Sequence, residues 1–156
     1  MSDQLTSDEL DTLKGRFRAA GCSVTDIDDT TFEMIGRDLP VRTHVMANPF
    51  FVQLGTVIEA LPSGFMPSRA SKIHAFLNEI NLDAKLVKFT VDTDRPDPET
   101  ERWPIMASVK LVTGTVGGNY EPKALENLIL LWYQDIATLI ARKTSFQLRA
   151  MMVEKT

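Results

Sequence analysis

The stretch Val41-Arg-Thr-His-Val-Met-Ala-Asn-Pro-Phe-Phe-Val-Gln-Leu-Gly-Thr-Val-Ile58 decides how this chain is read. Val41, Thr43, Val45 and Ala47 alternate with Arg42, His44 and Met46, a period of two that puts each set on one face of a strand. Asn48-Pro49 interrupts the pattern, because proline lacks the N–H that a central strand needs and the pair favours a turn. Beyond it Phe50, Val52, Leu54, Thr56 and Ile58 share the core face of the next strand. Upstream, Phe32 and Met34 alternate with Thr31, Glu33 and Ile35 before a turn at Gly36-Arg37-Asp38. Three alternating runs joined by short turns predict an antiparallel meander.

On either side of the meander the period changes to that of a helix. Thr6 followed by Glu9 is a capping box, Leu10, Leu13, Phe17 and Ala20 form one stripe, and Gly21 suits a left-handed C-terminal cap. The spacing predicts a first helix from about Thr6 to Ala20. After Leu61-Pro-Ser-Gly64, Ser68 is the expected N-cap of a second helix that turns Ile73, Phe76, Leu77 and Ile80 inward and ends near Leu82. Val87, Phe89 and Val91 mark a fourth strand, and Ile105, Ala107, Val109 and Leu111 a fifth, with a charged, proline-rich loop (Asp94 to Glu99) between them. Gly114 to Asn119 reads as a turn. Pro122 opens a last helix to about Phe146, with Leu125, Leu128, Ile129, Trp132, Ile136, Leu139 and Ile140 at helical spacing. The expected fold class is α+β: one domain over residues 1–156, helix–three strands–helix–two strands–helix, with the helices packed on an antiparallel sheet. Its core runs from about residue 5 to 146, and 147–156 reads as a frayed tail.

Composition narrows the function classes. The 156 residues (17.5 kDa) are 44% hydrophobic and 24% charged, an ordinary globular mixture long enough to bury a core without staples. A net charge of −4 disfavours nucleic acid as a partner. One cysteine, Cys22, cannot form an intramolecular disulfide, and the N-terminal residues lack a signal-peptide pattern, so a cytoplasmic protein is expected. No apolar run is long enough to span a membrane, and none is expected as a partner.

The chemistry-bearing residues point to no reaction. His44 and His74 share no ligand-type spacing and read as exposed or half-exposed histidines. Cys22 reads as a small buried residue at the helix–strand junction. Asp26, Asp28 and Asp29, like Asp92, Asp94 and Asp97, lack the glycine and closing glutamate of a calcium loop, so both read as solvated loops. The glycine-rich segment Gly114 to Lys123 matches no phosphate-binding pattern. No catalytic residue, cofactor or metal is therefore expected. The second face of the sheet is more telling: Arg42, His44, Met46, Phe51, Gln53, Val57, Lys88, Met106, Ser108, Lys110 and Val112 fall opposite the core residues. Met46, Phe51, Val57, Met106 and Val112 are more apolar than a solvated face requires and are the candidate partner- or dimer-binding residues. A strand register wrong by one would instead return them to the core.

One block resembles a known family. Leu61-Pro-Ser-Gly-Phe-Met-Pro-Ser-Arg-Ala-Ser-Lys-Ile-His-Ala-Phe-Leu-Asn-Glu-Ile-Asn81, followed by the strand Leu86–Asp92, is similar to the central block of the YbjN-like family. The shared features are Leu77-Asn78-Glu79-Ile80-Asn81 and the Lys88-Phe89 step. That family is labelled a proposed bacterial sensory-transduction regulator, and its fold resembles the class I type III secretion chaperones, small acidic proteins that are usually dimers. The resemblance implies a fold with this element order and no catalytic residues. The resulting expectation is a non-catalytic, homodimeric module that binds a protein or peptide client. The alternative is a small enzyme whose site surrounds His44, with Asp or Lys neighbours, on the open sheet face.

Overall fold

Thr6 starts the first helix as its spacing predicts. Its hydroxyl accepts the Glu9 N–H at 3.2 Å, and the Glu9 carboxylate accepts the Thr6 N–H at 3.0 Å. The computed structural model describes residues 4–37, 41–62, 69–91, 103–112, 122–142 and 146–150. In it α1 spans Ser7–Ala19 and buries Leu10, Leu13 and Phe17. Gly21 ends α1 in the left-handed region (φ 96°), where a side chain would be strained. Its N–H bonds the Arg18 carbonyl and the Cys22 N–H bonds the Phe17 carbonyl, which together make a Schellman cap.

Four strands follow where three were expected: β1 (Ser23–Asp26), β2 (Thr31–Ile35), β3 (Arg42–Ala47) and β4 (Phe51–Pro62). β1 is the addition. It is largely exposed and polar and shows no alternation; it is a strand because β2 offers it a partner, Ser23 facing Ile35 and Asp26 facing Phe32. Then come α2 (Arg69–Asp83), β5 (Lys88–Val91), β6 (Trp103–Val112), α3 (Pro122–Ala141) and β7 (Phe146–Ala150). The last helix thus stops at Ala141 rather than near Phe146. The segment read as a frayed tail supplies β7, which pairs with β4. Phe50, expected on the core face of β4, is 59% exposed because it lies in the preceding turn, where the Asn48 carboxamide oxygen accepts the N–H groups of Phe50 and Phe51. Ser68, the loop from Asp94 to Glu99 and the turn from Gly114 to Asn119 lie outside the described residues.

The strands form one antiparallel sheet in the order β1-β2-β3-β4-β6-β5, with β7 also on β4. β4 is its spine. One edge of β4 pairs with β6 from Phe51 to Ala60; the other is shared end to end, by β3 over Val52 to Gly55 and by β7 over Ile58 to Pro62. Core residues alternate along each central strand as the sequence predicts, so the register is not displaced by one. Phe17, Phe76, Phe89, Val109 and Trp132 all lie in the single core between the sheet and the helices. The Phe17 and Phe32 rings meet edge to face, with centroids 5.4 Å apart. The Trp132 indole N–H donates to the buried Thr43 hydroxyl at 3.0 Å, so this aromatic is buried without an orphaned donor.

Two polar side chains tie the α2–β5 corner. Asp135 of α3, only 5% exposed, accepts backbone N–H groups from Lys85, Leu86 and Val87 at 3.1, 2.8 and 2.9 Å. Asn81, near the end of α2, donates to the Phe89 carbonyl at 2.8 Å and accepts the Phe89 N–H at 2.9 Å. Asn81 closes the Leu77–Asn81 stretch and Phe89 the Lys88-Phe89 step singled out above. Their spacing places a carboxamide beside an outer strand, where it serves both backbone groups of one residue.

Candidate functional site

The buried side chains of all three helices belong to the one core, so among the described residues no helix covers the opposite face of the sheet. Cross-strand pairing arranges that open face in rungs. The central rung runs Thr25, Glu33, His44, Gly55, Ser108 and Lys88 across five neighbouring strands and the sixth. On one side of it stand Thr31, Met46, Gln53 and Lys110; on the other, Val57, Met106 and Thr90. Phe51 faces Val112 at the end of β4.

All five candidate residues occupy this face. Met46 is 41% exposed, Met106 47% and Val112 70%, whereas Phe51 and Val57 are half-buried. They do not form one patch. Val57 with Met106 and Phe51 with Val112 make two apolar stations six residues apart on β4, about 20 Å at ~3.3 Å per residue. Met46 lies between them, opposite Gln53. The middle is low, since Gly55 has no side chain and Ser108 a short one. A Cβ added at Gly55 would meet nothing closer than the Ala107 carbonyl oxygen at 3.9 Å, so neither strain nor crowding requires glycine there.

Charge surrounds the stations. The Lys110 ammonium sits 4.3 Å from the centre of the Phe51 ring, a cation–π contact that covers that station on one side. Glu33 lies between Arg42 and His44, at 3.7 and 3.9 Å. At 3.9 Å the carboxylate is too far to orient the imidazole through a hydrogen bond, and the His44 side chain is largely exposed. His74 is exposed on α2, over the covered face, so the two histidines do not converge.

The remaining residues considered from sequence have local roles. Cys22 is buried between α1 and β1, and burial pushes its thiol up to about 11. Such a neutral thiol is a poor nucleophile. Asp28 accepts the Thr30 and Thr31 N–H groups and the Thr30 hydroxyl, contacts led by the Thr30 N–H that hold its carboxyl below the usual range. Asp26 pairs with the buried Lys14 of α1 at 2.5 Å. The first aspartate cluster is therefore turn and anchor chemistry, while Asp92, Asp94, Asp97 and residues 114–121 of the glycine-rich segment lie outside the described residues. Among the described residues no set of three His, Cys, Asp or Glu side chains converges as metal ligands, and no helix is long and apolar enough to cross a membrane.

No protein-family model matches the chain, and no curated protein matches it. Among solved structures its fold is similar to that of YbjN from E. coli, a proposed transcription regulator. The superposition has a TM-score of 0.60 at 16% sequence identity and covers 84% of this chain and 87% of that one. The chain has a YbjN-like α+β fold.

Proposed function

We propose that this YbjN-like domain is a non-catalytic, regulatory or chaperone-like binding module that acts as a homodimer on a protein partner through the open face of its sheet. The observation that carries the reading is the pair of apolar stations, Phe51–Val112 and Val57–Met106, on either side of the low Gly55–Ser108 position, on a face that no helix covers among the described residues. A two-fold axis lying in that face across β4 sets the first station of one copy on the second station of the other. This is the i-to-j, j-to-i contact of an isologous interface. The axis passes between the Gly55–Ser108 and Gln53–Lys110 rungs, so Gly55 of one copy faces Gln53 of the other and leaves it room. The fold likeness to a proposed transcription regulator supports a regulatory rather than a chemical role, by analogy.

Sedimentation at micromolar concentration tests the assembly. The expected species has about twice the 17.5 kDa of one chain. Gly55→Arg should convert it to a monomer that still unfolds cooperatively, because the new side chain has room in one copy but is driven into Gln53 of the other. A single 17.5 kDa species that persists as concentration rises would refute the dimer.

A further inference from the structure

Away from the open face, a pocket of about 480 Å³ lies where the C-terminal end of α1 and the residues after β2 meet α3. That volume is within the range that holds small metabolites, roughly 300–1,000 Å³. Ile129 and the exposed Leu130 of α3 supply an apolar wall. Tyr133, one turn on, contributes its ring and a buried hydroxyl that has no hydrogen-bond partner among the described residues. Burial raises the Tyr133 phenol above its usual range, so both it and the neighbouring Cys22 thiol are neutral polar groups. Two opposite charges complete the lining: Arg37 from the segment after β2 and Glu126 from α3. Among the described residues neither takes part in an ion pair.

The charges narrow the ligand class. A simple anion would meet Glu126 and the carbonyl end of α1, which carries partial negative charge. A simple cation would meet Arg37. A molecule with both charges on one short unit satisfies both, and the remaining volume and the Ile129–Leu130 wall accept an apolar substituent. We propose that this pocket binds a free α-amino acid with an apolar side chain. Its ammonium faces Glu126 and the α1 carbonyls, its carboxylate faces Arg37, and its side chain lies on Ile129 and Leu130.

Calorimetric titration with L-leucine, N-acetyl-L-leucine and L-leucinamide, paralleled by amide chemical-shift mapping, tests this. L-Leucine should bind saturably, with shifts centred on Gly21, Gly36 and Glu126. Either blocked analogue, and either Arg37→Gln or Glu126→Gln, should bind about tenfold more weakly or worse, as expected when one charge contact of about 1.4 kcal/mol is lost. Both positions are on the surface, so thermal melts of the variants should match the parent. The proposal is overturned by no saturable binding up to about 10 mM. It is also overturned if the blocked analogues bind as well as leucine, if only one of the two variants weakens binding, or if the shifts centre elsewhere.

Discussion

Replacing Asp135 by alanine removes one carboxylate and three hydrogen bonds at once, and the structure indicates how much each is worth. The Val87 N–H is buried, so losing its acceptor incurs a desolvation penalty of about 1–3 kcal/mol. The Lys85 and Leu86 N–H groups are only partly buried; water reaches them after the change, and each loses about 0.5–1.5 kcal/mol. Alanine recovers up to ~0.7 kcal/mol through its better helix propensity within α3. The net expectation is a loss of about 1.3–6 kcal/mol, a large part of a stability of about 5–15 kcal/mol. Asp135→Asn should lose less, about 1–2 kcal/mol, since its carbonyl oxygen still accepts Leu86 and Val87 while its amide group opposes the Lys85 N–H. Asp83→Ala is the contrast. It removes a 2.6 Å ion pair with Arg142 at the surface, and pairs of that kind are worth about 0–1 kcal/mol. Urea unfolding followed by tryptophan fluorescence gives all three differences, provided the slopes agree. A loss under about 1 kcal/mol for Asp135→Ala, or no difference between Asp135→Ala and Asp83→Ala, would refute the role assigned to this carboxylate.

Three further outcomes are expected. Asn81→Ala should lower stability by about 1–3 kcal/mol in the same assay, because both Phe89 backbone groups lose their partner. Phe89→Ala should lose about 3–5 kcal/mol by emptying a fully buried aromatic site, and a loss under about 1 kcal/mol would contradict the burial of that ring. The Cys22 thiol is raised in the folded state from 9.0 to about 11, so its contribution is fully present below pH 9 and is lost as pH rises through 11. Between those values the wild type should lose more stability than Cys22→Ala; parallel pH profiles would show that the thiol is not held neutral by burial.

What the sequence disclosed depends on where each strand's conformation is decided. β3 and β4 bury one side-chain set and expose the other, so Thr43, Val45, Val52 and Leu54 announce both conformation and register. β1 buries almost nothing, and Ser23, Thr25 and Asp26 carry no periodic signal; the free edge of β2 makes that segment a strand. β7 follows the same logic, paired to the half of β4 that β3 leaves uncovered. The open face was legible for the same reason as the core, being its alternate set. Its division into two stations was not, because that follows from the pairing of β6 with β4 rather than from either strand alone. Asp135 and Asn81 were silent because each serves backbone groups distant in sequence, and Arg37, Glu126 and Tyr133 because the loop and helix that carry them meet only in the folded chain.

The Asn81 carboxamide also bears on how this sheet would behave as a growing polymer. An outer strand is a live end, and each exposed pair of backbone groups is a rung onto which another chain can add. On β5 the rung at Phe89 points away from β6 and is already occupied by a group that extends no further, much as a chain terminator ends synthesis by filling the site and offering no successor. With β5 only four residues long, occupying one rung leaves an incoming strand too little ladder to nucleate on. Copies of this protein that collide at high concentration are thereby denied edge-on addition at β5.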